Sequence, residues 1–161
     1  MLQMSGRIEL ATFGMGCFWC SQASFSGIEG VVSTQVGYMG GTKDSPTYGE
    51  VSGGRTGHIE VVQVRFDERI TYQGLLEIFW GSHDPTFSGE GDDGSGQQYR
   101  SSVFYHDQVQ KVLAEGSMRR FQASGRFRGR LTTLIVPAST FWMAEEHHQC
   151  YIAKMQNKRH A

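Results

Sequence analysis

Strands alternating with helices along one undivided chain predict a single domain of α/β or α+β class. Three observations lead there. The 161 residues suit one compact domain with a hydrophobic core. β-branched segments recur between segments of helical spacing. Neither an internal repeat nor a linker splits the sequence, so residues 1–161 are expected to form one domain.

Each element has its own reason. Residues 8–13 read as a strand that runs into Gly14-Met15-Gly16, and a helix follows from near Cys17 to about Phe25. Residues 31–38 are β-branched and read as a strand closed by Gly40-Gly41. Residues 42–57 are rich in Gly, Ser, Thr and Pro and are expected to be a long loop, a feature that often carries function in compact domains. Residues 58–66 are the next strand. Leu75, Ile78 and Phe79 fall at helical spacing behind a cap at Thr71. Residues 82–97 form a second loop, rich in Gly and Asp, before a short strand over 100–105. Val109, Val112, Leu113 and Gly116 mark a helix starting after Asp107. Residues 131–136 are a last strand, stopped by Pro137. Ala144, His148, Tyr151, Ile152 and Met155 form the apolar stripe of a terminal helix.

Composition narrows the function. Hydrophobic residues are 39% and charged residues 19% of the chain, a soluble globular balance, and the formal net charge is −1. Such a chain has no overall attraction to nucleic acid or to anionic membranes. Arg119, Arg120, Arg126, Arg128 and Arg130 read as a solvated helix end and turn rather than a phosphate site. The first ten residues lack a signal-peptide core, and no apolar run reaches transmembrane length, so a cytoplasmic location is expected. Three cysteines in a reducing compartment direct attention to reactivity or metal binding rather than to structural disulfides.

Cys17 is the leading candidate nucleophile. A thiol at a helix start faces the positive end of the dipole and free backbone N–H groups, which is expected to depress its pKa. Glycines before it allow a sharp turn from strand to helix. Phe18 and Trp19 supply apolar walls for a small apolar group, or are plain core residues. Cys17-Phe18-Trp19-Cys20 is also a Cys-x-x-Cys sequence. It could be half of a zinc site completed by His147, His148 and Cys150, or the pair of a general thiol–disulfide oxidoreductase.

In the strand over 58–66, alternation puts His58, Glu60, Val62, Val64 and Phe66 on one face. Glu60 thus lies on the more apolar face, where desolvation raises a carboxyl pKa and suits it to general acid work near neutral pH. A wet, ordinary carboxylate at the strand end is the other reading. Tyr48 and Tyr99, in or beside the two loops, carry phenols able to stabilise an oxygen gaining negative charge. His148 on an apolar stripe is the ordinary profile of a satisfied core histidine.

These residues resemble the peptide methionine sulfoxide reductase A family from Ala11 to about Lys154. The resemblance runs through Gly16-Cys17-Phe18-Trp19, Gly37-Tyr38 with Gly40-Gly41, and Pro46-Thr47-Tyr48 with Val51. It continues through Thr56-Gly57-His58 with Glu60, Phe79-Trp80 and His83-Asp84-Pro85-Thr86. Gln98-Tyr99-Arg100-Ser101 and Ala144-Glu145 with His148-Gln149 complete it. The resemblance implies an α+β two-layer sandwich around a mixed β-sheet with a ferredoxin-like βαβ core. It implies reduction of the S epimer of methionine sulfoxide, free or in proteins, with thioredoxin as electron donor and with no metal or cofactor. Cys17 would attack the sulfoxide sulfur, Glu60 would protonate the oxygen, Tyr48 and Tyr99 would hold it, and Phe18 and Trp19 would pack against the methyl group. His148 and Asp93 would join the substrate-binding set.

Four features depart from common members of that family. Cys20 stands where many have Gly, and His147 where an aromatic residue is common. The usual loop Asp falls on Gly94 if spacing to Tyr99 is kept, with Asp92 and Asp93 beside it. The chain stops soon after the terminal helix, where many members carry a cysteine-bearing tail. Cys20 and Cys150 are therefore the candidate resolving thiols. Cys20 is placed first because it lies one helical turn from Cys17.

Overall fold

The computed structural model describes residues 6–87 and 96–159. Its centre is a six-stranded sheet in the order β5-β4-β1-β3-β2-β6. The strands are β1 (Glu9–Gly14), β2 (Val31–Met39), β3 (Ile59–Phe66), β4 (Ser102–Tyr105), β5 (Leu134–Pro137) and β6 (Trp142–Met143). β1 pairs antiparallel with β3 and β4, and β2 pairs antiparallel with β3 and β6, whereas β4 and β5 are parallel. The sheet is therefore mixed, and the class is α+β. The helices are α1 (Phe18–Phe25), α2 (Tyr48–Ser52), α3 (Tyr72–Gly81), α4 (Gln108–Ala123) and α5 (Tyr151–Arg159). With α1 and α3 as crossovers, β1 to β4 form the split βαβ–βαβ arrangement of ferredoxin-like folds, with central order 4-1-3-2.

One face of the sheet carries the main core. Phe13 of β1 stacks against Phe25 of α1, Tyr72 and Phe79 of α3 at ring separations of 5.5, 6.2 and 5.2 Å. Val36, Tyr38, Val62 and Val64 point to the same side and are fully buried. The opposite face holds a smaller cluster of Met39, Ile59, Val61 and Phe104, covered by Val136, Ala138 and Phe141. Burial on both faces explains why the first half of β3 is apolar at nearly every position.

Several sequence expectations need correction. The loop over 42–57 contains α2, a five-residue helix with a complete capping box: the Thr47 hydroxyl accepts from Glu50 N–H, and the Glu50 carboxylate accepts from Thr47 N–H. Two short 3-10 turns, over Gln97–Tyr99 and Glu146–His148, and the two-residue β6 were not foreseen. The last long strand begins at Leu134, not at 131, and includes Pro137, which as an edge residue loses no ladder partner there. α4 exists as expected, but its outward face is the one carrying Val109 and Val112. Gln110, Ala114, Ser117 and Phe121 face inward. Polar inward residues are tolerated because they are bonded: Ser117 Oγ accepts from Trp80 Nε1 at 2.7 Å, and Gln110 bonds Leu10 O and His106 N–H.

The terminal stripe also reads differently. α5 starts only at Tyr151 and buries no residue completely. Ala144 and His148 precede it, and Cys150 breaks the run with φ of +53°. The five arginines between 119 and 130 are exposed, as a solvated helix end requires. Among the described residues no helix is long and apolar enough to cross a membrane.

Candidate active site

The site is built where β1 ends, α1 begins and β3 passes beneath. Gly16 has φ of +90°, open to glycine at no cost, and turns the chain out of β1. Cys17 then occupies the N-cap of α1 with a non-helical ψ of 122°, and its carbonyl accepts both the N–H and the hydroxyl of Ser21. The thiol is half-buried and Cys20 is exposed.

The expected depression of the Cys17 pKa is not what this position produces. Burial pushes the thiol up. The backbone N–H groups of Trp19 and Cys20 pull it down, while negative charge on Glu60 and on Cys20 adds to the rise, and the net direction is upward. The helix-start donors are present as predicted. Among the causes of the shift, however, none is a cation, and desolvation of a half-buried thiolate outweighs two N–H groups.

Glu60 is the most deeply buried carboxyl among the described residues, 1% exposed. Its Oε1 accepts from the N–H of Phe18 at 3.2 Å, the residue immediately after the nucleophile. Oε2 has no hydrogen-bond partner among the described residues. Burial raises the carboxyl pKa to about 7, against the lowering effect of the Phe18 N–H. The choice between an apolar and a wet setting for Glu60 is thus settled for the apolar one. A carboxyl poised at neutrality can donate a proton and be restored at the same pH.

Tyr99 feels the charge of the same group. Its pKa is pushed up to about 12, first by burial and then by the charges of Glu60, Tyr48 and Cys17, while Gln98 lowers it. The two phenols, the carboxyl and the thiol therefore gather in one place. Tyr48 is the first residue of α2, and its ring lies 4.6 Å from that of His148 and 6.3 Å from that of Phe18.

Phe18 and His148 form the back of the site. Phe18 is fully buried and touches the rings of Tyr38, Tyr48 and His148. Trp19 is half-buried, stacks on Tyr151 at 3.9 Å, and donates its indole N–H to His148 Nδ1 at 3.0 Å. That bond makes Nδ1 an acceptor, so the neutral imidazole carries its proton on Nε2. Burial, followed by the neighbouring His147, holds the His148 pKa below the ordinary value although Glu145 opposes the shift, and favours that neutral form. His148 sits in the 3-10 turn, not on a terminal helix, and Nε2 has no partner among the described residues.

Two loops are pinned by further histidines. His58 Nδ1 accepts from Gly41 N–H at 3.0 Å, so Nε2 donates to the carbonyl of Lys43 at 2.7 Å. A Cβ at Gly41 would lie 2.4 Å from His58 N and Thr56 O, so only glycine lets these two ends of the loop approach. His83 donates from Nδ1 to Phe79 O, and its Nε2 meets the buried Ser101 hydroxyl, which also meets Thr133, each at 2.7 Å. This chain anchors the segment bearing Tyr99.

Sequence reasoning passed over Gln22, and it quoted Tyr38, Glu145 and Gln149 only as residues of the resemblance, with no task as polar connectors. Gln149 bonds both Val36 N–H and Val36 O, and Gln22 Oε1 accepts from Cys150 N–H at 2.7 Å. No periodicity marks such residues, because each is defined by a partner more than a hundred positions away. Asp93, with Asp92 and Gly94, lies outside the described residues. Cys150 is exposed and opens on a cleft of about 310 Å³ shared with Trp19, Gln22, Ala23 and Ser26. Helical periodicity turns that face of α1 away from Cys17, Cys20 and Ser24. Among the described residues no three His, Cys, Asp or Glu side chains are grouped to hold a metal ion.

Comparison with known proteins agrees with this geometry. A family model described as peptide methionine sulfoxide reductase matches residues 9–161. The chain is 51% identical over 154 residues to a peptide methionine sulfoxide reductase MsrA of Methanothermobacter thermautotrophicus, covering 95% of this chain and 91% of that protein. It is 50% identical over 148 residues to one of Geobacter sulfurreducens, covering 91% of each. Among solved structures, reduced Mxr1 from Saccharomyces cerevisiae superposes with a TM-score of 0.83 at 33% identity, over 96% of this chain and 88% of that one. Methionine sulfoxide reductase A of Corynebacterium diphtheriae gives 0.77 at 34% identity, over 96% and 78%.

Proposed function

Because the chain belongs to the peptide methionine sulfoxide reductase family, we propose that residues 1–161 act as a single catalytic domain that reduces the S epimer of methionine sulfoxide, free or in proteins, in the cytoplasm. The observation that carries the reading is Glu60: a buried carboxyl with a pKa of about 7, held by the N–H next to Cys17. A general thiol–disulfide exchanger would have no use for it.

Each residue has a task. The Cys17 sulfur attacks the sulfoxide sulfur and forms an S–S bond, giving a neutral adduct that keeps the oxygen as a hydroxyl. Sulfur becomes electrophilic enough only when its oxygen is protonated, and Glu60 supplies that proton through Oε2. The proton released by the Cys17 thiol restores the carboxyl, so the step leaves no net charge. This sharing answers the raised thiol pKa, since a neutral Glu60 no longer opposes the thiolate. Tyr48 and Tyr99 donate hydrogen bonds to the departing oxygen. Trp19 lies against the methyl group with Phe18 packed behind it, and His148 joins the substrate contacts, a set to which the family resemblance also assigns Asp93.

The hydroxyl then passes to the Cys17 sulfur as the S–S bond and the old S–O bond break, methionine leaves with the electron pair on its sulfur, and Cys17 is a sulfenic acid. Cys20 condenses with it, releasing water and forming a disulfide, and thioredoxin reduces that bond with two electrons. The N-cap and the third helical position are neighbours, which supports Cys20 over Cys150, whose cleft lies on the other face of α1.

The test is turnover of each sulfoxide epimer with thioredoxin or a small dithiol. Wild type is expected to consume the S epimer only, and Cys17→Ser neither. Consumption of disulfides but of neither sulfoxide would overturn the proposal.

A further inference from the structure

We infer that Glu145 is a positioning residue for Tyr48, tying that phenol to the strand pair that carries Glu60. The inference rests on the role of Tyr48 proposed above.

A five-residue helix cannot hold itself, because nucleation is costly and so few residues share the cost. Its first N–H groups also lack intrahelical partners. The capping box of Thr47 and Glu50 satisfies one end locally but does not fix α2 against the sheet. The long-range anchor comes from Glu145, 97 positions later, whose Oε2 accepts the N–H of Tyr48 itself at 3.1 Å. Its other oxygen accepts the hydroxyl of Tyr38 at 3.0 Å. Tyr38 is fully buried in β2 and is the direct cross-strand partner of Glu60 in β3. One carboxylate therefore connects the residue opposite the acid with the backbone of the phenol.

The neighbours of Glu145 reinforce the link. Its carbonyl accepts the N–H of His148 at 2.9 Å, and the His148 ring carries the Tyr48 ring. Gln149 and Ala144 fasten the same segment to Val36 of β2. Both the backbone and the ring of Tyr48 are thus placed from residues 144–149. Accepting from two donors at once requires the ionised carboxylate. Burial pushes the Glu145 carboxyl up, but its own N–H, the Tyr48 N–H and the Tyr38 hydroxyl hold it below the ordinary value overall.

A double-mutant cycle on steady-state rates tests this. Glu145→Ala with Tyr48 intact is expected to lower kcat about tenfold or more, since displacing one aligned group costs that order, with KM unchanged within about threefold. Glu145→Gln should recover most of the rate: its carbonyl can take the Tyr48 N–H while its amide faces the Tyr38 oxygen. In a Tyr48→Phe background, Glu145→Ala should change kcat by less than about twofold, because the group it positions is gone. Tyr38→Phe cuts the same bridge from the sheet side and should show the same coupling to Tyr48 with a smaller loss. Equal losses from Glu145→Ala with and without the phenol, or no loss at all, would overturn the inference. Tyr48→Phe alone reports separately on the phenol: an unchanged kcat there overturns the role of Tyr48 first and the inference with it.

Discussion

Replacing Glu60 by Gln isolates what its burial does to the fold. The folded carboxyl keeps its proton to about pH 7, whereas in the unfolded chain it ionises near 4.5. Between those values the folded state binds more protons than the unfolded state, so this group's contribution to stability falls as pH rises and is flat above about 7. At about 1.4 kcal/mol per pH unit, the full gap is worth about 3 kcal/mol. Gln keeps the oxygen that accepts the Phe18 N–H and has nothing to ionise. Urea unfolding of the reduced proteins, followed by tryptophan fluorescence at pH 4.5, 6, 7 and 8, reads the effect, and the other titrating groups cancel in the comparison. Glu60→Gln is expected to match wild type within about 1 kcal/mol at pH 4.5 and to be more stable by about 3 kcal/mol at pH 8. A difference that does not change with pH would refute the claim that this carboxyl is desolvated in the folded state.

Two other outcomes follow from the geometry. After one equivalent of sulfoxide without reductant, peptide mass spectrometry is expected to find a Cys17–Cys20 disulfide. Cys20→Ser should stop after one turnover while Cys150→Ser cycles normally, and a Cys17–Cys150 bridge would contradict this assignment. Ser101→Ala should cost about 1–3 kcal/mol by urea unfolding, because it leaves the part-buried His83 Nε2 and the buried Thr133 hydroxyl without their shared partner. A stability unchanged from wild type would show that the chain behind Tyr99 contributes nothing.

The main elements were legible because the sequence states them locally. Alternation in residues 58–66 placed Glu60 with Val62 and Val64, and the strand–glycine–cysteine order placed Cys17 at a helix start. What was not legible depends on distant partners. The sign of the Cys17 shift turns on burial by other elements and on Glu60, 43 positions away, neither visible in the local run. His148 looked like a stripe residue because its spacing from Tyr151 and Ile152 is helical, but the chain breaks at Cys150. Val109 and Val112 marked the right helix although both lie exposed, since Ser117 and Gln110 are drawn inward by bonds to Trp80 and Leu10. The α2 helix was a different failure: Thr47-Tyr48-Gly49-Glu50 is a capping-box sequence, hidden by the loop-like composition around it.

The central claim is that the Cys17 sulfur takes the oxygen from a sulfoxide under the acid of Glu60. A chain carrying Cys20→Ser and Cys150→Ser leaves that thiol alone. Mixed with one equivalent of the S sulfoxide and a sulfenic-acid trap, it is expected to release one methionine per chain and to carry the trap on Cys17. With the R epimer it should do neither. Methionine release without a label on Cys17, or no release at all, would contradict the account.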